Sequence, residues 1–117
     1  MGMERDIYHR CEKFAEDVVD ELRKFRPDYI DRVLVLQLVR SATSVAANMM
    51  EASESVSKKD FVNKLGISLK EAKESYYWLR LLSKHQPSLD ALMTEASELV
   101  RILATIRRKY AVVFPIG

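Results

Sequence analysis

The residues best suited to chemistry lie in two lines at helical spacing, and the first line is small and polar. Its members are Gln37, Ser41, Ser44, Asn48, Glu51 and Ser55. Intervals of four and three residues place all of them on one face of a helix, against one neighbour. The line either faces solvent or marks a close helix contact in which hydroxyls and amides are hydrogen-bonded. We favour the close contact, because apolar residues flank the line on both sides.

Acidic residues of the following helix lie level with this line. If the two helices fold back about Val56, residues whose numbers sum to about 113 share one height in an antiparallel pair. This register places Glu71 and Glu74 near Arg40. Near mid-bundle the predicted buried or half-buried polar network consists of Gln37, Arg40, Glu71 and Glu74, and Ser44 and Asn48 satisfy backbone or side-chain groups nearer the turn. Glu51 completes the predicted set.

The network has a structural and a chemical interpretation. Structurally it would fix the register of the two helices, and chemically it would be a catalytic acid pair or a metal site. Carboxylate-rich bundles that bind two metal ions use Glu-x-x-His motifs, and neither His9 nor His85 stands in one. The sequence also has no phosphate loop, Cys/His cluster or nucleophile elbow. We favour the structural interpretation and expect no metal, no cofactor and no enzymatic activity.

The second line is basic and lies on the helix predicted over residues 58–84, which holds seven Lys or Arg against three acids. The predicted nucleic-acid-binding residues are Lys58, Lys59, Lys70, Lys73, Tyr77, Arg80 and Lys84. Most of them share one stripe away from the apolar face, together with Asn63 and Gly66. Such a stripe suits a phosphate backbone, and the alternative is an ordinary solvated lysine face. Lys58 and Lys59 oppose the helix dipole in the first turn, which favours contact with an anion.

Four amphipathic helices position these two lines. Apolar residues recur at intervals of three and four over helices predicted at about 3–26, 29–55, 58–84 and 88–110, followed by an apolar tail over 111–117. Asp28, Ser57 and Ser88 are the predicted N-caps. Because short turns join the helices, the sequence predicts an all-α fold, an up-down-up-down antiparallel four-helix bundle in a single domain over 1–117.

Composition and charge narrow the cellular setting. Cys11 is the single cysteine, as expected of a small core residue in a reducing compartment. The N-terminus is too charged for a signal peptide, and no uninterrupted apolar run reaches the ~18 residues that span a bilayer. We therefore expect a cytoplasmic protein without membrane contact. A net charge of +2 gives no argument for nucleic acid from bulk charge alone.

Large apolar side chains exceed what one small core absorbs, which predicts self-association. The residues concerned are Tyr76, Tyr77, Trp78, Tyr110, Val112, Val113 and Phe114. The tail in particular is expected either to pack back on the bundle or to cover a neighbouring subunit.

Two blocks of sequence resemble one bacterial family. The first block, from Gln37 to Glu51, reads Q-x-x-R-S-x-x-S-V-x-x-N-x-x-E, and the second, ending at Leu82, reads KDFVNKLGISLKEAKESYYWLRLL. They resemble the four-helix-bundle proteins encoded in intervening sequences of 23S ribosomal RNA genes, the S23-type family. The resemblance implies a ring-shaped homo-oligomer, a pentamer. Related proteins assist the reverse transcriptases of diversity-generating retroelements, where a strongly basic ring binds nucleic acid and the polymerase. This chain differs in being less basic and in carrying Ala52 where many members carry Gly.

The leading hypothesis is a non-enzymatic, oligomeric accessory protein that binds RNA or DNA through the basic stripe, with a possible protein partner such as a reverse transcriptase. The alternative is a protein-binding, self-assembling scaffold without nucleic-acid binding. Salt-dependent binding to RNA separates the two hypotheses.

Overall fold

Helices account for nearly all of the chain that the structure describes. The computed structural model describes residues 2–113, with side chains from Asp6 to Ala111. Its helices are α1 (Gly2–Leu22), α2 (Tyr29–Ser53), α3 (Lys58–Ser83) and α4 (Asp90–Val113), and a 3₁₀ turn (Pro87–Leu89) precedes α4. Each helix packs against the next, α1 also contacts α4, and the bundle measures 46 × 27 × 20 Å. The predicted all-α four-helix bundle is confirmed, and no strand occurs within residues 2–113.

The helix starts follow from local side-chain chemistry. Asp28 caps α2 by accepting a hydrogen bond from a first-turn N–H at 2.7 Å, and Ser57 caps α3 in the same way at 3.1 Å. Both caps agree with the sequence prediction. The predicted cap at Ser88 is wrong, because Ser88 lies inside the 3₁₀ turn. Pro87, which has no N–H to satisfy, starts that turn instead.

Two helix ends differ from the expected bounds. α1 ends at Leu22 rather than near residue 26, since Pro27 disfavours helical dihedrals before it and a turn replaces the last residues. α4 continues to Val113, past the expected end at residue 110, because no proline or glycine precedes Pro115 in this segment. The rest of the tail, 114–117, lies outside the described residues.

The core is built from the apolar stripes of all four helices. Its largest fully buried side chains include Phe14, Val18, Leu38, Val45, Leu65, Leu79, Leu99 and Leu103. Cys11 is also fully buried, as predicted, and burial raises the pKa of its thiol to about 12. The thiol therefore stays protonated at neutral pH and packs as a small apolar group.

The start of α2 exposes large apolar side chains. Tyr29, Ile30, Val33 and Leu36 are each more than half exposed, and Leu36 reaches 67%; we call these four residues the apolar face of α2. By length and composition alone α2 is apolar enough to cross a membrane, although 28% of its most apolar stretch is buried. Core helices of soluble proteins and signal sequences meet the same criterion.

The core absorbs most of the aromatic residues that were expected to be in surplus. Tyr76, Trp78 and Tyr110 are half-buried and pack against core residues. Tyr77 is 50% exposed. The side chains of Val112, Val113 and Phe114 lie outside those described. The exposed surplus is instead on α2, where the segment IDRVLVLQLV has apolar residues on both the core and the outer face.

Candidate nucleic-acid interface

Buried serines line the contact between α2 and α3. The Ser41 and Ser75 hydroxyls lie 2.8 Å apart, and the Ser68 hydroxyl donates to the Val45 carbonyl at 2.9 Å. All three serines are fully buried. Small side chains let the two helices approach closely, and the hydroxyls satisfy one another or the backbone. At Ser41 the polar line is therefore a close helix contact, the alternative that the sequence favoured.

The rest of the polar line lies at the rim of this contact. Asn48 is half-buried, and its amide donates to the carbonyl and hydroxyl of Ser44 on its own helix at 2.9 and 3.1 Å. Glu51 is exposed and pairs with Lys64 of α3 at 2.7 Å. Asn48 and Ser44 thus bond within α2, and Glu51 makes the interhelical contact in this part of the rim.

Arg40 joins two acids of α3, also at the rim. Its guanidinium lies 2.9 Å from the Glu74 carboxylate and 3.6 Å from the Glu71 carboxylate. Arg40 is 54% exposed and Glu71 only 12%, while Gln37, one turn earlier, is half-buried. One buried Glu71 oxygen has no hydrogen bond to the described residues. The cluster of one guanidinium and two carboxylates thus links the two helices, and a guanidinium facing two carboxylates fixes their register.

The acids and the free cations of α3 lie on different flanks. Glu71 and Glu74 face α2, whereas the predicted nucleic-acid-binding side chains lie on the outer surface. Every member of that set is exposed: Lys58, Lys59, Lys70, Lys73, Tyr77, Arg80 and Lys84. Among the ion pairs of the described side chains, none involves Lys59, Lys70, Lys73, Arg80 or Lys84, which we call the basic stripe. These five cations are therefore available to an external anion.

One further cation beside the stripe was missed from the sequence. Arg107, an exposed residue of α4, lies against Gly66 of α3, with its Nε 2.9 Å from the position that a Cβ on Gly66 would take. The available signal was the glycine itself, because a glycine inside a helical pattern usually has a packing reason. The sequence alone does not show which residues of α4 lie at the height of Gly66 on α3.

Two acids of α4, Glu95 and Glu98, pair with an arginine of α1. Arg10 of α1 forms a two-pronged contact with Glu95, at 2.6 and 3.0 Å, and also reaches Glu98 at 3.2 Å. These hydrogen bonds raise the pKa of Arg10, and the bond to Glu95 has the largest effect. The carboxylates of Glu71, Glu74, Glu95 and Glu98 are thus bound to arginines of α2 and α1. In the described part of the chain, no group of three or more His, Cys, Asp or Glu side chains could hold a metal ion.

Together these features define a class of protein, a small antiparallel helical bundle whose two middle helices meet through serines and whose outer surface carries unpaired cations. Comparison with known proteins gives the family. The family model described as 23S rRNA-intervening sequence protein matches residues 3–105, so the chain belongs to the 23S rRNA-intervening sequence protein family.

A solved structure shares the fold. It is a protein of unknown function from the S23 ribosomal protein family of Bacteroides thetaiotaomicron, 30% identical in sequence. The match covers 91% of this chain and 98% of that chain, with a TM-score of 0.75. No curated protein matches the chain. The family expected from the two sequence blocks is confirmed.

Proposed function

We propose that this protein is a non-enzymatic, oligomeric accessory protein that binds RNA or DNA through the basic stripe. The observation that carries the proposal is the separation of charge on α3. Its two interhelical acids, Glu71 and Glu74, are bound to Arg40, while five cations on the outer surface have no ion-pair partner among the described residues. Unpaired Lys and Arg that neutralise phosphates release counterions, which is the main source of affinity for nucleic acid.

Self-association is the second part of the proposal. Tyr29, Ile30, Val33 and Leu36 form an exposed apolar face on α2, of the kind that a subunit interface covers. One copy offers few cations, but a ring of copies, a pentamer by resemblance to the family's relatives, repeats the stripe and sums its phosphate contacts. The single cysteine suits a reducing cytoplasm, and by the same resemblance a polymerase such as a reverse transcriptase is the candidate protein partner.

The test is the double variant Lys70→Glu and Lys73→Glu. Wild-type protein should bind single-stranded RNA or DNA in a strongly salt-dependent manner, and the variant should lose this binding because two attractive charges become repulsive. Its thermal melt should stay close to wild type, since exposed charges contribute only ~0 to 1 kcal/mol to folding. Fluorescence anisotropy across a salt series measures the binding.

A matched control places the same change of charge at Lys13 of α1 and at Arg23 in the turn that follows α1, which are also exposed. This control should retain most of the binding and the salt slope of wild type. Equal losses in both double variants would show that net charge alone, and not the stripe, governs the interaction.

The second candidate function is a protein-binding, self-assembling scaffold without nucleic-acid binding, and the apolar face of α2 favours it. That face can serve assembly and a protein partner without any role for the stripe. If wild-type protein shows no salt-sensitive binding to RNA or DNA at low ionic strength, the stripe is a solvated face and the scaffold is the better account.

A further inference from the structure

A glycine lies within the basic stripe, and an arginine of another helix covers it. Gly66 falls between Lys59 and Lys70 and is the only glycine of α3. A Cβ built on Gly66 would lie 2.9 Å from Nε, 3.4 Å from Nη2 and 3.5 Å from Cζ of Arg107. These three atoms belong to one guanidinium, so the head group of Arg107 rests directly against the Gly66 backbone.

A glycine stands at position 66 because Arg107 occupies the space beside it, and not because the backbone has an unusual conformation there. Gly66 has no positive φ, so its helical backbone would accept any residue. Glycine is among the least favourable residues in a helix interior, and alanine would be the better helix former at this position. Even an alanine Cβ would come within 2.9 Å of Arg107 and push the flexible guanidinium away. The glycine therefore keeps Arg107 seated on α3.

Arg107 adds a positive charge beside the basic stripe, and this charge is not part of an ion pair within the described part of the chain. No ion pair of the described side chains involves Arg107, and the paired acids of α3 and α4 are bound to Arg40 and Arg10. Lys70 follows Gly66 by one helical turn, and Cβ positions at this spacing lie about 5 to 6 Å apart on one face of the helix. The guanidinium over Gly66 therefore lies on the face of α3 that carries Lys70, so two helices contribute cations to this face.

We propose that Arg107 and Lys70 together bind the phosphodiester backbone of the nucleic acid, and that Gly66 is the positioning residue that holds Arg107 in the stripe. This inference rests on the proposed function and names a part of its binding surface. A guanidinium presents a planar fork of donors that matches two phosphate oxygens, whereas a lysine offers a point charge. Arg107 accordingly fixes where a phosphate sits, and the flanking lysines add affinity along the strand.

The variant Gly66→Ala separates binding from stability. Alanine should raise the melting temperature, because it favours the helix and restricts the unfolded chain. It should also weaken binding of single-stranded RNA and lower the magnitude of the salt slope by about 1, the loss expected for one phosphate contact. Arg107→Gln should lower the slope by the same amount, and the double variant should lose no more than either single change.

Arg101→Gln is the control, since Arg101 is another exposed arginine of α4, and it should keep the wild-type slope. A Gly66→Ala protein that binds with the wild-type slope overturns this inference, and so does an Arg107→Gln protein that does so. In either case the proposed function stands if Lys70→Glu with Lys73→Glu still abolishes binding. Absence of wild-type binding overturns both proposals. Parallel titrations with single-stranded DNA and duplex DNA of equal length show which phosphate backbone is preferred.

Discussion

α4 and α2 belong to one bundle but use their apolar residues in opposite ways. α4 buries Leu99 and Leu103 completely and exposes charged residues such as Arg101. α2 buries the hydroxyl of Ser41 and leaves Leu36 67% exposed. The large apolar side chains described on α4 are therefore buried or half-buried within the fold of one subunit, whereas several of those on α2 are exposed. The difference shows that α2, and not α4, carries apolar surface beyond what the core covers.

The largest effect that tests this comparison is on folding. Leu103→Ala removes a fully buried side chain from α4 and should lower the free energy of unfolding by about 2 to 5 kcal/mol, because it leaves a cavity. Leu36→Ala, the matched change on α2, should stay within about 0.5 kcal/mol under conditions where the protein is monomeric. Urea unfolding measures both. Similar losses at the two sites would mean that Leu36 is buried within the folded subunit.

The next effect concerns assembly. Leu36→Lys places a charge on the apolar face of α2, and should cost about 2 kcal/mol or more per subunit contact, as at an interface hot spot. Light scattering should then shift from an oligomer toward the 13.5 kDa monomer, with the helical signal in circular dichroism retained. An unchanged mass would place the subunit interface, if one forms, elsewhere on the molecule.

The smallest effect lies in the serine contact between α2 and α3. Ser41→Ala leaves the buried Ser75 hydroxyl without its partner and should cost about 1 to 2 kcal/mol. Replacing both serines by alanine should restore much of this loss, because no orphaned hydroxyl remains. Thermal melts of the two single variants and the double variant form a cycle that isolates their interaction. Strict additivity of the two single losses would contradict a direct hydroxyl pair.

Features set by one or two adjacent helices could be predicted from the sequence. The caps at Asp28 and Ser57 follow from side-chain chemistry within one turn. The contact of Arg40 with Glu74 follows from folding two helices back about a short turn, which sets their relative height with little freedom. The apolar residues of α4 recur at intervals of three and four, and this spacing likewise predicts that Leu99 and Leu103 are buried.

Features that depend on helix rotation or on a longer connection could not be predicted. Ser75 continues the buried spacing from Ala72 to Leu79, but the spacing does not show that its hydroxyl meets that of Ser41, which depends on how α3 is rotated against α2. The exposed apolar face that includes Leu36 was missed because this part of α2 has apolar residues on both its core side and its outer side. The spacing therefore does not show which of them are exposed. Arg107 meets Gly66 through the packing of α4 on α3, whose relative height the sequence leaves open.

The burial of Cys11 has a consequence for any assembly of this chain. Identical subunits held side by side bring equivalent residues to high local concentration, where exposed thiols would couple into disulfides under oxidising stress. Oxidation and exchange require the thiolate at an accessible position. Cys11 offers neither, since it is fully buried and its pKa is raised to about 12. If the chain assembles as proposed, Cys11 forms no covalent cross-links between its subunits.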